Sequence, residues 1–369
     1  MISFVWTDPL PLYSGRGGTE SYTVGHIREL NRRGIAARIL SYGLGKKDGR
    51  EYFPDIQFKT LNSLGEISTL NDTIIYLNIP HNIPAKRQSY TMFHYPALEQ
   101  HGRRLDYVRG LGNSIVMTNS RFLRSYWADF LDIEETAIQV VYPFADPAFS
   151  SVKRIKNPNG TTRVLYAGRL SPEKGIYLLL EALHHPVAKH QSPLANGFVF
   201  DVTTAGNQTL HGQVIETILK HHPWINVLEA RHTPKEVAEL FAAHDIVVMP
   251  SNNKFWHEAF GMVSIEAQHA GCRVIVSNSG GLPETNCGEL ILFEPGNSFK
   301  LARSIEKASK LGPLTKAARN EATKHFTLTE SVDLLLQVLS NYDSTLQKHS
   351  KIDLQCPVTA SNERQAILN

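Results

Sequence analysis

Residues 245–271 read DIVVMPSNNKFWHEAFGMVSIEAQHAG. A short apolar, β-branched run from Ile246 to Pro250 predicts a buried strand. A polar loop follows, and a helical pattern then runs from about Gly261 to just before Gly271. The next apolar run, Val274–Ser277, begins three residues later. Strand, loop, helix and strand in that order form the repeating unit of a parallel sheet, because parallel neighbours need a long crossover.

Working outward, the alternation fills most of the chain. In the second half, strands are predicted at Val164–Ala167, Phe198–Ala205 and Ile225–Leu228, with helices near 173–185, 208–222, 234–243 and 262–270. In the first half, strands are predicted at Ile2–Thr7, Ala36–Tyr42, Thr73–Leu77, Tyr90–Tyr95, Ser114–Thr118 and Ile138–Tyr142. Helical patterns there cover Thr19–Arg33, ended by Gly34, and Ser120–Phe130. Thr233-Pro234-Lys235-Glu236 combines a capping Thr, Pro at the first helical position and Glu three residues after the cap. Ser171-Pro172-Glu173 reads as a second capped start, and Thr327 with Glu330 as a third.

Two such series predict two doubly wound α/β domains, whose strand C-termini line a shared cleft where ligands bind. The polar segment Ala145–Thr162 reads as the linker. The expected organisation is residues 1–150, residues 151–325, a helix over 326–344 able to cross back onto the first domain, and a flexible polar tail at 345–369.

Composition narrows the function. Of 369 residues, 42% are apolar and 20% charged, as in a packed globular protein. Lys plus Arg is 38 and Asp plus Glu 35, and residues 1–150 hold 16 basic and 15 acidic side chains. Neither half carries the basic excess of a nucleic-acid binder. Cys272, Cys287 and Cys356 are odd in number and widely spaced, which argues against a disulfide framework or a zinc knuckle and for a reducing, cytoplasmic setting. The N-terminus reads as a first strand rather than a signal peptide, and no apolar run approaches 18 residues.

Several familiar patterns fail. Gly43-Leu44-Gly45-Lys46-Lys47-Asp48-Gly49 imitates a dinucleotide loop, but no helix pattern follows it. There is no P-loop and no G-x-S-x-G elbow. His257-Glu258 lacks the second His of a zinc-protease helix, since position 261 is Gly261.

Three stretches carry chemistry. In the first, Glu258 lies in the loop and Glu266 about one turn inside the helix. The N–H groups of Phe260, Gly261 and Met262 stand at the helix start, where a carboxylate or phosphate can bind. Glu258 could equally be a first-turn acid, and Glu266 part of a solvated face. In the second, Tyr166-Ala167-Gly168-Arg169-Leu170-Ser171-Pro172-Glu173-Lys174-Gly175, a strand runs into a turn with two cations suited to a diphosphate. Surface cations are the plain alternative. In the third, Ser14-Gly15-Arg16-Gly17-Gly18-Thr19-Glu20, paired glycines let a ligand approach backbone N–H groups. A tight strand-to-helix turn would need the same glycines.

The order of these pieces is more specific than any of them alone. It resembles retaining glycosyltransferase family 4, the glycosyl transferases group 1 of the GT-B fold. Ala205-Gly206-Asn207, Asp245–Ser251 and Gly271–Glu284, with its Gly280-Gly281 turn, extend the resemblance, which covers about residues 1–340. It implies transfer of a sugar from a nucleoside-diphosphate donor, UDP-sugar by default, to an acceptor hydroxyl with retention of configuration. By the same resemblance, Arg169 and Lys174 would face the leaving diphosphate, aided by N–H groups near Gly17, Gly18 and Phe260 to Met262. Glu266 would accept from the ribose hydroxyls and Glu258 would contact the donor sugar, or act as a nucleophile. The backbone near Arg231 and His232 would lie by the base. His94 would contact the transferred sugar, unless it is a structural histidine. No metal or other cofactor is implied. The alternatives are a GT-B phosphorylase, a sugar-nucleotide epimerase or a non-catalytic nucleotide-sugar binder. The acceptor is a glycan, lipid-linked or small molecule. Arg103, Arg104, Arg109, Arg121 and Arg124 could rest on anionic lipid or form a solvated surface.

Overall fold

The computed structural model describes residues 1–13, 17–157, 160–184, 197–252, 254, 256–343 and 346. Ser14, Gly15 and Arg16 of the glycine turn, Pro158 and Asn159 of the expected linker, and the 345–369 tail apart from Leu346 lie outside the described residues.

The described residues form two wholly parallel sheets of seven and six strands. The first contains β1 (Ile2–Trp6), β2 (Ala37–Tyr42), β3 (Phe58–Leu61), β4 (Thr73–Leu77), β5 (Ser89–Phe93), β6 (Ile115–Thr118) and β7 (Gln139–Val140), in the order β3-β2-β1-β4-β5-β6-β7. Its helices are α1 (Gly18–Arg32), α2 (Arg104–Leu111) and α3 (Arg121–Leu131). The second contains β8 (Thr162–Tyr166), β9 (Phe198–Thr203), β10 (Ile225–Leu228), β11 (Ile246–Met249), β12 (Arg273–Ser277) and β13 (Leu290–Phe293), in the order β10-β9-β8-β11-β12-β13. Its helices are α4 (Pro147–Ser151), α5 (Ile176–His184), α6 (Leu210–Lys220), α7 (Pro234–Ala242), α8 (Met262–His269), α9 (Ser298–Leu311) and α10 (Lys316–Ala322).

Every residue of β1, β4, β11 and β12 is buried, as expected for central strands covered on both faces. In each sheet the strand order reverses beside the first strand, between β1 and β4 and between β8 and β11. Crossovers on opposite faces leave a crevice at that point, outside the strand C-termini.

The last helix, α11 (Leu328–Tyr342), returns to the first domain. Val332, Leu335 and Leu339 are fully buried among Ile27, Leu30 and Tyr90. Each such side chain contributes about 1.5–3 kcal/mol. Arg33 pairs with Asp333, and the Tyr90 hydroxyl donates to the Leu339 carbonyl at 3.1 Å.

Two expectations are corrected. The helix predicted over 173–185 is broken: a 3-10 turn at Pro172–Lys174 ends at Gly175, and α5 starts at Ile176. Gly175 has φ +76°, and a Cβ there would lie 1.7 Å from the Pro250 carbonyl oxygen, so only glycine fits. The strand expected over Ile138–Tyr142 shortens to Gln139–Val140, because the chain leaves the sheet there. The linker segment, which joins β7 to β8, packs onto the second domain. Phe149 is buried with Phe241, Ile265 and Cys272, and Arg319 donates to the Phe149, Ser150 and Val152 carbonyls. Carbonyls bonded by Arg319 and one aromatic anchor decide that packing.

Candidate functional site

The switch point of the second sheet builds the site. The turn after β8 carries Arg169 and Lys174, and the loop after β11 carries Ser251 and Glu258. Because β8 and β11 are direct neighbours, the two segments meet. Lys174 Nζ donates to Glu258 Oε1, and the Ser251 hydroxyl donates to the same oxygen at 3.1 Å. Both members of the ion pair are largely buried. Arg169 extends into solvent and stands 3.6 Å from Glu173.

Burial pushes the Glu258 carboxyl up. The Lys174 charge and hydrogen bond, the Ser251 hydroxyl and the Arg169 charge outweigh it, so the carboxyl lies below its ordinary range. Glu266, on α8, is in the opposite condition. Burial, with a smaller contribution from Asp146, raises it to about 8. Two glutamates eight residues apart are thus an anion and a predominantly neutral acid at pH 7.

Gly261, at φ +111°, caps α8. Among the described residues, the N–H groups of Phe260, Gly261 and Met262 have no protein acceptor. Phe260 itself is buried, and its ring is 5.8 Å from that of Tyr142. The first domain comes close here: a Cβ on Gly18 would lie 3.3 Å from Met262 Cγ. Gly17 is extended and caps α1.

His94 follows β5 on the facing edge and is buried. Neither Nδ1 nor Nε2 has a partner, although its backbone N–H donates to Asn78 Oδ1 at 2.8 Å. Burial, helped by nearby His26, drops its pKa to about 3, so the ring is neutral. Its ring stands 4.8 Å from that of Tyr22, edge to face. The Tyr22 hydroxyl and Asn119 Oδ1 are also buried without partners. Unpaired buried polar atoms are costly, and those of His94, Tyr22 and Asn119 belong to this region.

The structure therefore joins Lys174 to Glu258, with Arg169 alongside, and brings Gly18 to Met262 across the cleft. Arg231 and His232 are not joined to them. Both are exposed after β10, where the His232 N–H donates to Glu236 Oε2 at 3.3 Å within the cap of α7. Sequence reading missed Ser251, Asn119, Tyr22 and Asp146. Each is a common residue type at a strand end, in a helix or at a cap, and only the fold brings it into the cleft.

Two facing Rossmann-like domains with this cleft constitute the GT-B fold. Residues 150–325 match the family model described as Glycosyl transferases group 1. Spore coat protein SA of Bacillus subtilis is 29% identical over 197 residues, 49% of this chain and 49% of that protein. The chain thus spans about half the length of the curated relatives it matches. A glycosyltransferase from Rickettsia africae has a TM-score of 0.70 at 20% identity, covering 92% of this chain and 98% of that one. Anabaena HepE, solved with UDP and glucose, has a TM-score of 0.63 at 18% identity, covering 92% and 99%. At these identities the two structures establish the fold.

Proposed function

We propose that this chain is a retaining glycosyltransferase that moves a sugar from a nucleoside-diphosphate donor, a UDP-sugar by preference, to an acceptor hydroxyl. The Lys174–Glu258 pair at the switch point carries the reading. The difficult step is departure of the diphosphate from an oxocarbenium-like sugar, which loads negative charge onto the leaving oxygens. Arg169 and Lys174 sit where that charge develops, and one unit-charge pair at ~4 Å is worth about 4 kcal/mol at an intermediate dielectric. The free N–H groups at the start of α8 and near Gly17 and Gly18 add donors that need no reorganisation. These groups supply the charge a metal would otherwise bring. A donor opens the ion pair in a useful sense: Glu258 accepts from sugar hydroxyls while Lys174 turns to the phosphate. Glu266 accepts from the ribose diol, and Arg231 and His232 flank the base.

The UDP in HepE supports the choice of base. Neutral His94, with the Tyr22 hydroxyl and Asn119 Oδ1, suits the hydroxyls of the transferred sugar. A glycosidase reading leaves the two cations without a role, and the unequal states of Glu258 and Glu266 serve binding. We propose a cytoplasmic location, with contact at the membrane face as an option that α2 supports by exposing Leu105 and Val108 beside Arg103 and Arg104. Failure to sediment with anionic liposomes at low salt would remove that option.

The test is a thermal-shift panel of nucleotide sugars, followed by diphosphate release with candidate acceptors. Acceptor-dependent release is the expected result. Phosphate-dependent turnover would indicate a phosphorylase, acceptor-independent interconversion of donors an epimerase, and binding without turnover a sensor.

A further inference from the structure

Glu284 is a carboxylate that the reaction above does not use. It lies in the second domain, in the turn after β12, but both its oxygens serve the first. Oε2 accepts from the Arg121 backbone N–H at 2.8 Å and Oε1 from that of Phe122 at 2.7 Å. The Tyr142 hydroxyl donates to Oε2 at 2.9 Å, and the Arg121 guanidinium stands 3.6 Å away. Those two N–H groups are the first of α3, at the positive end of its dipole and without intrahelical acceptors. A carboxylate of one domain therefore caps a helix of the other.

The helix answers in kind. Ser120 caps α3 by accepting from the Leu123 N–H at 3.1 Å, and its hydroxyl donates across the cleft to the Ala259 carbonyl at 2.6 Å. Ala259 is the neighbour of Glu258. The turn that carries Glu284 holds this backbone from the other side: the Gly281 N–H donates to the Glu258 carbonyl at 2.8 Å. A Cβ on Gly280, at φ +58°, would lie 2.3 Å from the Glu258 carbonyl oxygen, and one on Gly281 would lie 2.2 Å from that of Ala259. The contacts close a ring, from α3 to Glu284, through the 280–284 turn to the Glu258–Ala259 backbone, and back to Ser120.

We propose that Glu284 is a positioning residue: it clasps α3 to the second domain and, through its turn, sets Glu258 for the donor sugar only when the domains are closed. This rests on the reading of Glu258 as a donor contact. A nucleotide held by the second domain alone binds without the clasp, whereas transfer requires both domains. When the clasp opens, Glu284 and the α3 N–H groups return to water, and the Glu258–Ala259 backbone loses its support from Ser120.

The test compares the full-length wild type with Glu284→Gln, Ser120→Ala and Tyr142→Phe. Glutamine keeps the volume and one acceptor oxygen, so the second domain should keep its fold. Four readouts are needed: UDP affinity by calorimetry, melting temperature, release of UDP from UDP-glucose in the presence of the acceptor found in the release screen, and radius of gyration by X-ray scattering with and without UDP. In Glu284→Gln, UDP affinity should stay within about twofold, kcat should fall by about tenfold or more, and the scattering radius should exceed the wild-type value. Ser120→Ala should act in the same direction, and Tyr142→Phe, which removes one donor of three, should fall between. Wild-type kcat or an unchanged radius in Glu284→Gln overturns the proposal. So does a joint loss of UDP affinity, melting temperature and kcat, which is what a merely structural role predicts. A wild type that neither binds UDP nor turns over UDP-glucose would sink the site reading alone, and the scattering comparison without nucleotide would then decide the clasp.

Discussion

Glu266 gives the sharpest prediction, because its charge at neutral pH depends on the ligand. Burial holds its carboxyl at about 8 in the free protein. A ribose diol donates only to acceptors, so a bound nucleotide favours the ionised form and returns the pKa toward the ordinary value of about 4.3. Binding should then release close to one proton at pH 7. The ionised fraction is about one half at pH 8 and about one in a hundred at pH 6, so affinity should rise ~50-fold between them, or about 2.3 kcal/mol. Glu266→Gln removes the titration and a charge-assisted hydrogen bond of about 1.5–3 kcal/mol, so at pH 8 it should bind about 10- to 100-fold more weakly than wild type. Its own pH profile carries the titration of the phosphate, which can then be subtracted. Calorimetry in buffers of different ionisation heat counts the proton directly. Parallel profiles for wild type and Glu266→Gln, or no buffer dependence at pH 7, would refute the assignment. The sign for stability is opposite. A raised carboxyl pKa favours the folded state fully below about 4.5, and that advantage is lost as pH rises through about 8.

Other outcomes follow from the same geometry. Lys174→Met leaves the buried Glu258 without its counter-charge and should lower diphosphate release by about 10²–10³-fold while the protein still binds UDP, as steady-state kinetics and calorimetry would show. His94→Ala should spare UDP affinity and cut turnover by about tenfold or more; equal losses in both would argue for a structural histidine. Gly175→Ala forces a Cβ onto the Pro250 carbonyl and should cost about 2 kcal/mol or more in urea unfolding, with Lys174 displaced. Asp201 bonds His244, Arg163 and Asn226, and although burial raises its carboxyl, these partners bring it down to about 2. Its stabilisation of about 2 kcal/mol is present above the unfolded value of 3.8 and should be lost between about pH 4 and 2, a loss absent from Asp201→Asn.

The fold was legible wherever a strand is buried on both faces. β8, β11 and β12 carry the apolar runs Val164–Tyr166, Ile246–Met249 and Val274–Val276, because the middle of a parallel sheet is covered on both faces. Two of the four edge strands escaped notice. β3, Phe58-Lys59-Thr60-Leu61, is half-buried with no continuous apolar run, and β13 is four residues on the opposite sheet's rim. α2 was invisible for a related reason: eight residues carrying exposed Leu105 and Val108 have no clean apolar face. The packing of the linker was illegible on different grounds. Its order depends on where the carbonyls of 149–152 find Arg319, a partner about 170 residues away that no local window contains.

Within the site, legibility followed the source of each interaction. Lys174 and Glu258 could be nominated from order and spacing because each lies in the segment that follows a strand with a legible apolar pattern. Their contact could not, since it requires β8 and β11 to be neighbours, a property of topology. His94 was nominated by the family resemblance, but its two orphaned nitrogens are evident only once burial is known. Glu284 lies one step further out. In sequence it is one acid in a 3-10 turn, and locally nothing separates it from a solvated carboxylate. Its meaning comes from two N–H groups of a helix that begins 163 residues earlier and belongs to the other domain. Chemistry carried within one strand–turn–helix unit can be read from the chain; chemistry that depends on two domains meeting becomes visible only when the cleft is closed, and there Glu284 ties closure to the backbone of Glu258.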